Sequence, residues 1–275
     1  MKKYLPTLIY ITSLLSPTLA AKWALYYFAK PLRIPRPESE KKVFEEAKKY
    51  YLKSGYAAFE WGESTHPIVL LIHGWNGRGT QIAQFSYELT KNHFRVIAVD
   101  GPGHGDSPGS WTTPTHFAKF ISDVQHELAP DNGVHCVIAH SFGGGCSVYS
   151  ASKELKTKSL VLIASPAFYH KVVDYFATNF GLRSSKAKSI FTNLVTDLAG
   201  IHPNELAIGK IGKDLNLPAL IVHDEQDSAV SFESALALHE NWPGSKLLKT
   251  NGLGHRRILK DPQVLRDVAD FIKKI

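Results

Sequence analysis

Short, mostly apolar strand-like runs recur along the chain, at Tyr56 to Trp61, Ile68 to His73, Phe94 to Val99, Val134 to Ala139, Ser159 to Ala164, Pro218 to His223 and Lys246 to Lys249. Most are apolar at successive positions rather than alternating, the pattern of strands buried on both faces of a parallel sheet. Helix-length segments separate most of them. This rhythm predicts an α/β fold with a mainly parallel central sheet and helices on both faces. The longest interruption, residues 165–216, carries Phe168, Tyr169, Tyr175, Phe176, Phe180 and Phe191 at roughly helical spacings. It is expected to form a small helical cap: either ordinary amphipathic helices closing the sheet or a lid that shapes a substrate site.

The first thirty residues follow a different pattern. Lys2 and Lys3 precede a modest apolar stretch from Leu5 to Leu15, and Thr18-Leu19-Ala20 offers small residues for cleavage, as in a signal peptide. Apolar character then resumes at Trp23 to Ala29, with Trp and Tyr beside Lys22 and Lys30, as in a segment lying in a membrane interface. Residues 1–30 are therefore expected to be a targeting or membrane-interface segment, and an exported or membrane-associated location is favoured over a cytoplasmic one. Pro31, Pro35 and Pro37 break any helix and open the folded body, residues 31–275.

Composition narrows the picture further. A chain of 275 residues with 44% hydrophobic content can bury a large core as one α/β domain. The net charge of +7 is concentrated near the N-terminus, because residues 1–60 hold 11 Lys and Arg against 5 Glu. No RNA-binding signature or Arg-rich helix occurs in the body, so no nucleic-acid partner is expected, and attraction to anionic lipid is the better use of the asymmetry. Cys136 and Cys146 are too few for a disulfide framework and read as small buried hydrophobes. No clustered His or Cys set has zinc spacing, and neither a metal nor a cofactor is expected.

Ligands bind beyond the carboxyl ends of parallel strands, so candidate chemistry is sought where each run stops. After Val134 to Ala139, a single serine, Ser141, precedes Gly143, Gly144 and Gly145. Poor helix formers at the start of a helix imply close backbone approach or positive φ. Ala139-His140-Ser141-Phe142-Gly143 matches the strand-turn-helix elbow G-x-S-x-G with alanine at its first small position. After Ile68 to Ile72, the turn His73-Gly74-Trp75-Asn76-Gly77 leaves backbone N–H groups able to face a developing oxyanion, and the best candidates are those of Trp75 and Phe142. Asp100 to Ser107 fails the G-x-G-x-x-G pattern and reads as a structural loop, in which His104 packs. Three carboxylates, Asp224, Glu225 and Asp227, share the loop after Pro218 to His223, and glycines place His255 in a flexible loop after the last run.

The order serine, aspartate, histidine is that of an α/β-hydrolase triad. Collectively these motifs resemble the α/β-hydrolase superfamily from about Pro31 onward. His73-Gly74 resembles its oxyanion turn, Asp100 to Ser107 its D-x-P-G-H-G-x-S loop, and His223 to Val230 its H-[GD]-x-x-D-x-x-V acid loop. That resemblance assigns the acid role to Asp227, the base to His255 and the nucleophile to Ser141. The departures are Ala139 for glycine and Ser231 where proline commonly follows the valine. The Trp-Asn-Gly-Arg-Gly turn and the Gly-Leu-Gly-His-Arg-Arg ending also look like a little-characterised bacterial subgroup.

The implied function is a serine hydrolase cleaving apolar carboxylic esters, esterase or lipase-like, through an acyl-enzyme. A serine peptidase or amidase is the first alternative. It lacks support in the cap, where Asp174, Asp197 and Glu205 are scattered. A catalytically silent binding protein on the same fold is the second.

Overall fold

The computed structural model describes residues 4–275, so Lys2 and Lys3 lie outside the described residues. Eight strands form one sheet: β1 (Lys48–Tyr51), β2 (Ala57–Trp61), β3 (Ile68–Ile72), β4 (Arg95–Val99), β5 (Cys136–His140), β6 (Leu160–Ile163), β7 (Ala219–Asp224) and β8 (Ser245–Thr250). Their spatial order is β1-β2-β4-β3-β5-β6-β7-β8. β1 and β2 join antiparallel at one edge, and β4, β3, β5, β6, β7 and β8 run parallel. All seven expected strands are present. The additional β1 is an exposed edge strand of sequence Lys-Lys-Tyr-Tyr, which carries no apolar run to announce it.

The continuous apolar runs split by residue parity, as a period-two strand requires. Val69, Leu71, Cys136 and Ile138 face one core, while Leu70, Ile72, Val137 and Ala139 face the other. The first core is covered by α3 (Lys41–Glu45), α4 (Gly79–Ile82), α5 (Phe85–Lys91) and α13 (Pro262–Ile272); the second by α6 (Pro114–Leu128), α7 (Phe142–Ala151) and α11 (Glu233–Asn241). Local sequence starts these helices. Thr113 caps α6 through the N–H of His116, and Asp261 caps α13 through those of Gln263 and Val264, each with proline at the first turn.

Residues 165–216 carry three helices: α8 (Tyr169–Asn179), α9 (Ser185–Ala199) and α10 (Ile208–Lys213). The N-terminal segment forms α1 (Leu5–Leu15) and α2 (Pro17–Phe28), separated by Ser16 in extended conformation. These two helices pack on the insertion. Ile9, Ala20, Ala21 and Ala24 join Val173, Ala177, Leu182, Ala187, Phe191 and Val195 in a third apolar cluster apart from the sheet. The cap aromatics are thereby redirected: Phe28 meets Phe176 and Phe191 edge to face, and Phe176 stacks on Phe180. Of the helically spaced aromatics, Phe176, Phe180 and Phe191 share a buried face, covered by α2 rather than by the sheet or a substrate, while Tyr175 is exposed and Tyr169 packs against the elbow.

Candidate active site

β5 delivers Ser141 to the carboxyl edge of the sheet. All five of its residues are buried, and the N–H of Ser141 still donates to the carbonyl of Ile163 at 2.8 Å, so the ladder to β6 runs up to the turn. The chain then folds back with Ser141 at φ 52° and ψ −123°, before α7 begins at Phe142. A non-glycine residue there holds strain of about 1–3 kcal/mol, which the packed surroundings must sustain. Gly143, Gly144 and Gly145 permit that packing without positive φ of their own. A Cβ on Gly143 would strike the carbonyl of His73, one on Gly144 the hydroxyl of Ser165, and one on Gly145 the ring of Tyr169. Close approach, rather than backbone handedness, is why the three glycines stand there.

The loop after β7 brings Asp227 to Ser141, and His255 comes not from a flexible loop, as its flanking glycines suggest, but from a single helical turn, α12 (Gly254–Arg257), because Gly252 and Gly254 at positive φ turn the chain into it. His255 Nε2 lies 3.1 Å from Ser141 Oγ, and His255 Nδ1 lies 2.7 Å from Asp227 Oδ2. The second Asp227 oxygen accepts from the N–H groups of Ala229 (2.8 Å) and Val230 (3.0 Å). Burial pushes the Asp227 carboxyl up, but the His255 imidazole and these N–H groups outweigh it and hold the carboxyl below the usual range. Asp224, the competing acid, braces the neighbouring loop: its carboxylate accepts from Thr250 Oγ1 (2.7 Å) and the N–H groups of Leu253 (2.9 Å) and Gln226 (3.0 Å).

His140 is a packing residue beside the elbow, as its place in the sequence suggests, but its bond to the base's loop is not legible there. It packs beside the elbow, its ring centroid 4.7 Å from that of His255, and its Nε2–H donates to the His255 carbonyl at 2.9 Å. Burial, reinforced by the neighbouring His255, pushes its imidazole down to about 3, so it is neutral. The signal for it was a lone polar ring ending an otherwise apolar strand.

The turn after β3 is fastened from three sides. His73 donates from Nδ1 to the Gly74 carbonyl (2.7 Å) and accepts at Nε2 from Gly101 N–H (2.9 Å); burial holds its imidazole well below the ordinary value. His104, likewise buried and pushed down to about 4, accepts from Asn76 N–H at 3.2 Å. Asn76 Oδ1 accepts from Leu32 N–H at 2.7 Å. Gly74 lies against the elbow, since a Cβ on it would sit 3.0 Å from both Ser141 Cβ and His140 Nδ1. Among the described residues, the N–H groups of Trp75 and Phe142 donate to no protein acceptor, and their rings meet edge to face at 5.1 Å.

The Asp100 to Ser107 loop is structural, as expected. Asp100 accepts from the N–H groups of Gly79 (2.6 Å) and Asp106 (2.7 Å), and burial pushes its carboxyl up to about 6. Cys136 and Cys146 are buried free thiols. Beside the fastened turn lies a groove of about 290 Å³, lined in part by Ile34, Pro35, Asn76, Gln81, Arg256 and Leu259.

Residues 67–188 match a family model described as alpha/beta hydrolase fold. The chain is 33% identical over 97 residues to a bifunctional esterase/perhydrolase of Acinetobacter calcoaceticus, a match covering 34% of each, so it spans about a third of that relative's length. Among solved structures, the lip1 protein of Acinetobacter baumannii AYE superposes with a TM-score of 0.67 at 21% identity, covering 88% of this chain and 98% of the other. An esterase of Exiguobacterium antarcticum gives 0.62 at 20% identity, with coverages of 82% and 99%. The sheet order and these matches identify the chain as having the α/β-hydrolase fold.

Proposed function

We propose that this protein is a serine hydrolase that cleaves carboxylic esters through an acyl-enzyme. The reading rests on the unbroken hydrogen-bonded chain from Ser141 Oγ through His255 to Asp227, set at the strained elbow. A neutral serine is a weak nucleophile, and this arrangement supplies what it lacks. With Nδ1–H directed to Asp227, His255 Nε2 accepts the Ser141 proton as Oγ attacks the ester carbonyl. The oxyanion is held by the N–H groups of Trp75 and Phe142, where loss of one donor costs about 3–4 kcal/mol of barrier. His255 then protonates the leaving alkoxide. In the second half it takes a proton from water, the hydroxide attacks the acyl carbon, and the proton returns to Ser141 Oγ as the acid departs.

The esterase among the chain's relatives supports an ester over an amide. A chain-length series of chromogenic esters, run beside matched anilides, tests this. Ester turnover that vanishes in Ser141→Ala is the expected result. Absence of turnover at every length on folded protein contradicts it and favours a binding role.

A further inference from the structure

Exposed apolar side chains are unevenly distributed over the surface. Among the described residues, seventeen large hydrophobic side chains are exposed, and eleven of them fall between Tyr4 and Ile34. From Tyr4, which caps α1, along that helix they form a stripe at Tyr4, Leu8, Ile11 and Leu15, with intervals of four, three and four residues; on α2, Leu19, Trp23 and Tyr26 repeat the pattern. These intervals align one face of a helix. The opposite faces are already occupied, because Ile9, Ala20, Ala21 and Ala24 are fully buried against the insertion. Gly181 reinforces that contact: a Cβ on it would strike the backbone of Pro6, so α1 lies directly on the α8–α9 turn.

Charge identifies what the open face meets. The first 37 residues contain six Lys and Arg and no Asp or Glu. Lys22 interrupts the α2 stripe beside Trp23, Lys30 follows the end of α2, and Arg183 of the α8–α9 turn sits over the Tyr10 ring at 4.7 Å. Among the described residues none of the three is in an ion pair. An apolar stripe with Trp and Tyr, rimmed by unneutralised cations, complements an anionic lipid surface. At 1.5 Å per residue, helices of 11 and 12 residues reach only about 17 and 18 Å, short of the roughly 30 Å hydrocarbon core. No described helix is long and apolar enough to cross a membrane.

We propose that α1 and α2 lie in the plane of an anionic bilayer as a fixed docking surface of the folded protein. The attachment is rigid. The segment after α2 is tied down by Thr112 N–H to the Ala29 carbonyl (2.9 Å), by Leu32 N–H to Asn76, and by Arg33 to the carbonyls of Gly105, Ser107 and Gly109. The insertion beneath the helices is also pinned to the elbow, where Tyr169 Oη donates to the Phe142 carbonyl at 3.1 Å. The bilayer would therefore rest on the side of the sheet that carries Ser141.

Flotation of the full chain with phosphatidylcholine vesicles, with and without phosphatidylglycerol, tests the proposal independently of any catalytic activity. Partition into the phosphatidylglycerol vesicles is expected, falling about fivefold for each of Lys22→Gln and Lys30→Gln. Leu15→Glu, at a position 86% exposed, should leave thermal unfolding unchanged and lower partition at least about tenfold. Equal binding to both vesicle types, a full chain that stays in the soluble fraction, or a dimer that Leu15→Glu dissociates in place of vesicle binding would each overturn the proposal.

Discussion

The elbow and the N-terminal helix pair are both apolar, yet they are built in opposite ways. Around Ser141 the supports are buried and closely packed: β5 is fully enclosed, three glycines press on backbone and side chain, and four neutral histidines tie loops together through hydrogen bonds. The helix pair has one buried face on its own cluster and one bare face towards solvent. Geometry good to a fraction of an ångström is what nucleophilic chemistry requires. Adhesion needs only area and charge. The molecule accordingly holds its proposed chemistry in the sheet and leaves the surface layer as a separate cluster joined by a hydrogen-bonded strap.

That separation can be broken by substitution. The largest effect is expected at the acid: Asp227→Asn should keep the fold but reverse the tautomer preference of His255, lowering kcat about ten-thousandfold in steady-state ester kinetics. In the other region, Phe191→Ala removes a fully buried ring between α2 and α8 and should cost about 3–5 kcal/mol, read as faster hydrogen exchange in α1 and α2. The same variant should keep an ester kcat within a few-fold of the wild type. A fall in kcat comparable to that of Asp227→Asn would show that the two regions are one unit.

Acid should act on the elbow side. Burial holds His73, His104, His140 and His223 below their ordinary value, His104 to about 4 and His140 to about 3. Each therefore stays neutral in the folded protein where the unfolded chain already binds a proton. Their contribution is complete above the unfolded value of about 6.5 and declines as pH falls towards the folded values. Denaturant titrations should show stability falling below about pH 6.5, by up to about 1.4 kcal/mol per pH unit for each histidine. A flat profile from about pH 7 to about pH 5 would mean that these rings are not buried neutral.

The smallest effect belongs to the surface strand that neither region uses. Tyr51→Thr, on exposed β1, should change stability by no more than about 0.5 kcal/mol in the same titrations.

The sheet was legible in the sequence because strands buried on both faces must be apolar throughout, and turn glycines mark their ends. β1 was not, because Lys48 to Tyr51 gains its strand conformation from pairing with β2 rather than from burial. The site was legible as residues and as order; Ser141, Asp227 and His255 each follow a strand end and meet in space. The supporting contacts were not, since the bond from His140 to the His255 carbonyl joins positions 115 residues apart. Nor could periodicity reveal which surface buries a helical face. Phe176, Phe180 and Phe191 look alike whether they meet a sheet, a ligand or another helix, and the small residues of Ala20-Ala21 serve close packing as readily as cleavage.

The proposed function stands on Ser141 being an activated nucleophile. Intact-mass analysis after fluorophosphonate treatment, with peptide mapping, tests it most directly in the wild type, Ser141→Ala and His255→Ala. A single adduct on Ser141 is expected, absent from the first variant and formed far more slowly in the second. No adduct on well-folded wild-type protein, or an adduct on another residue, would contradict it.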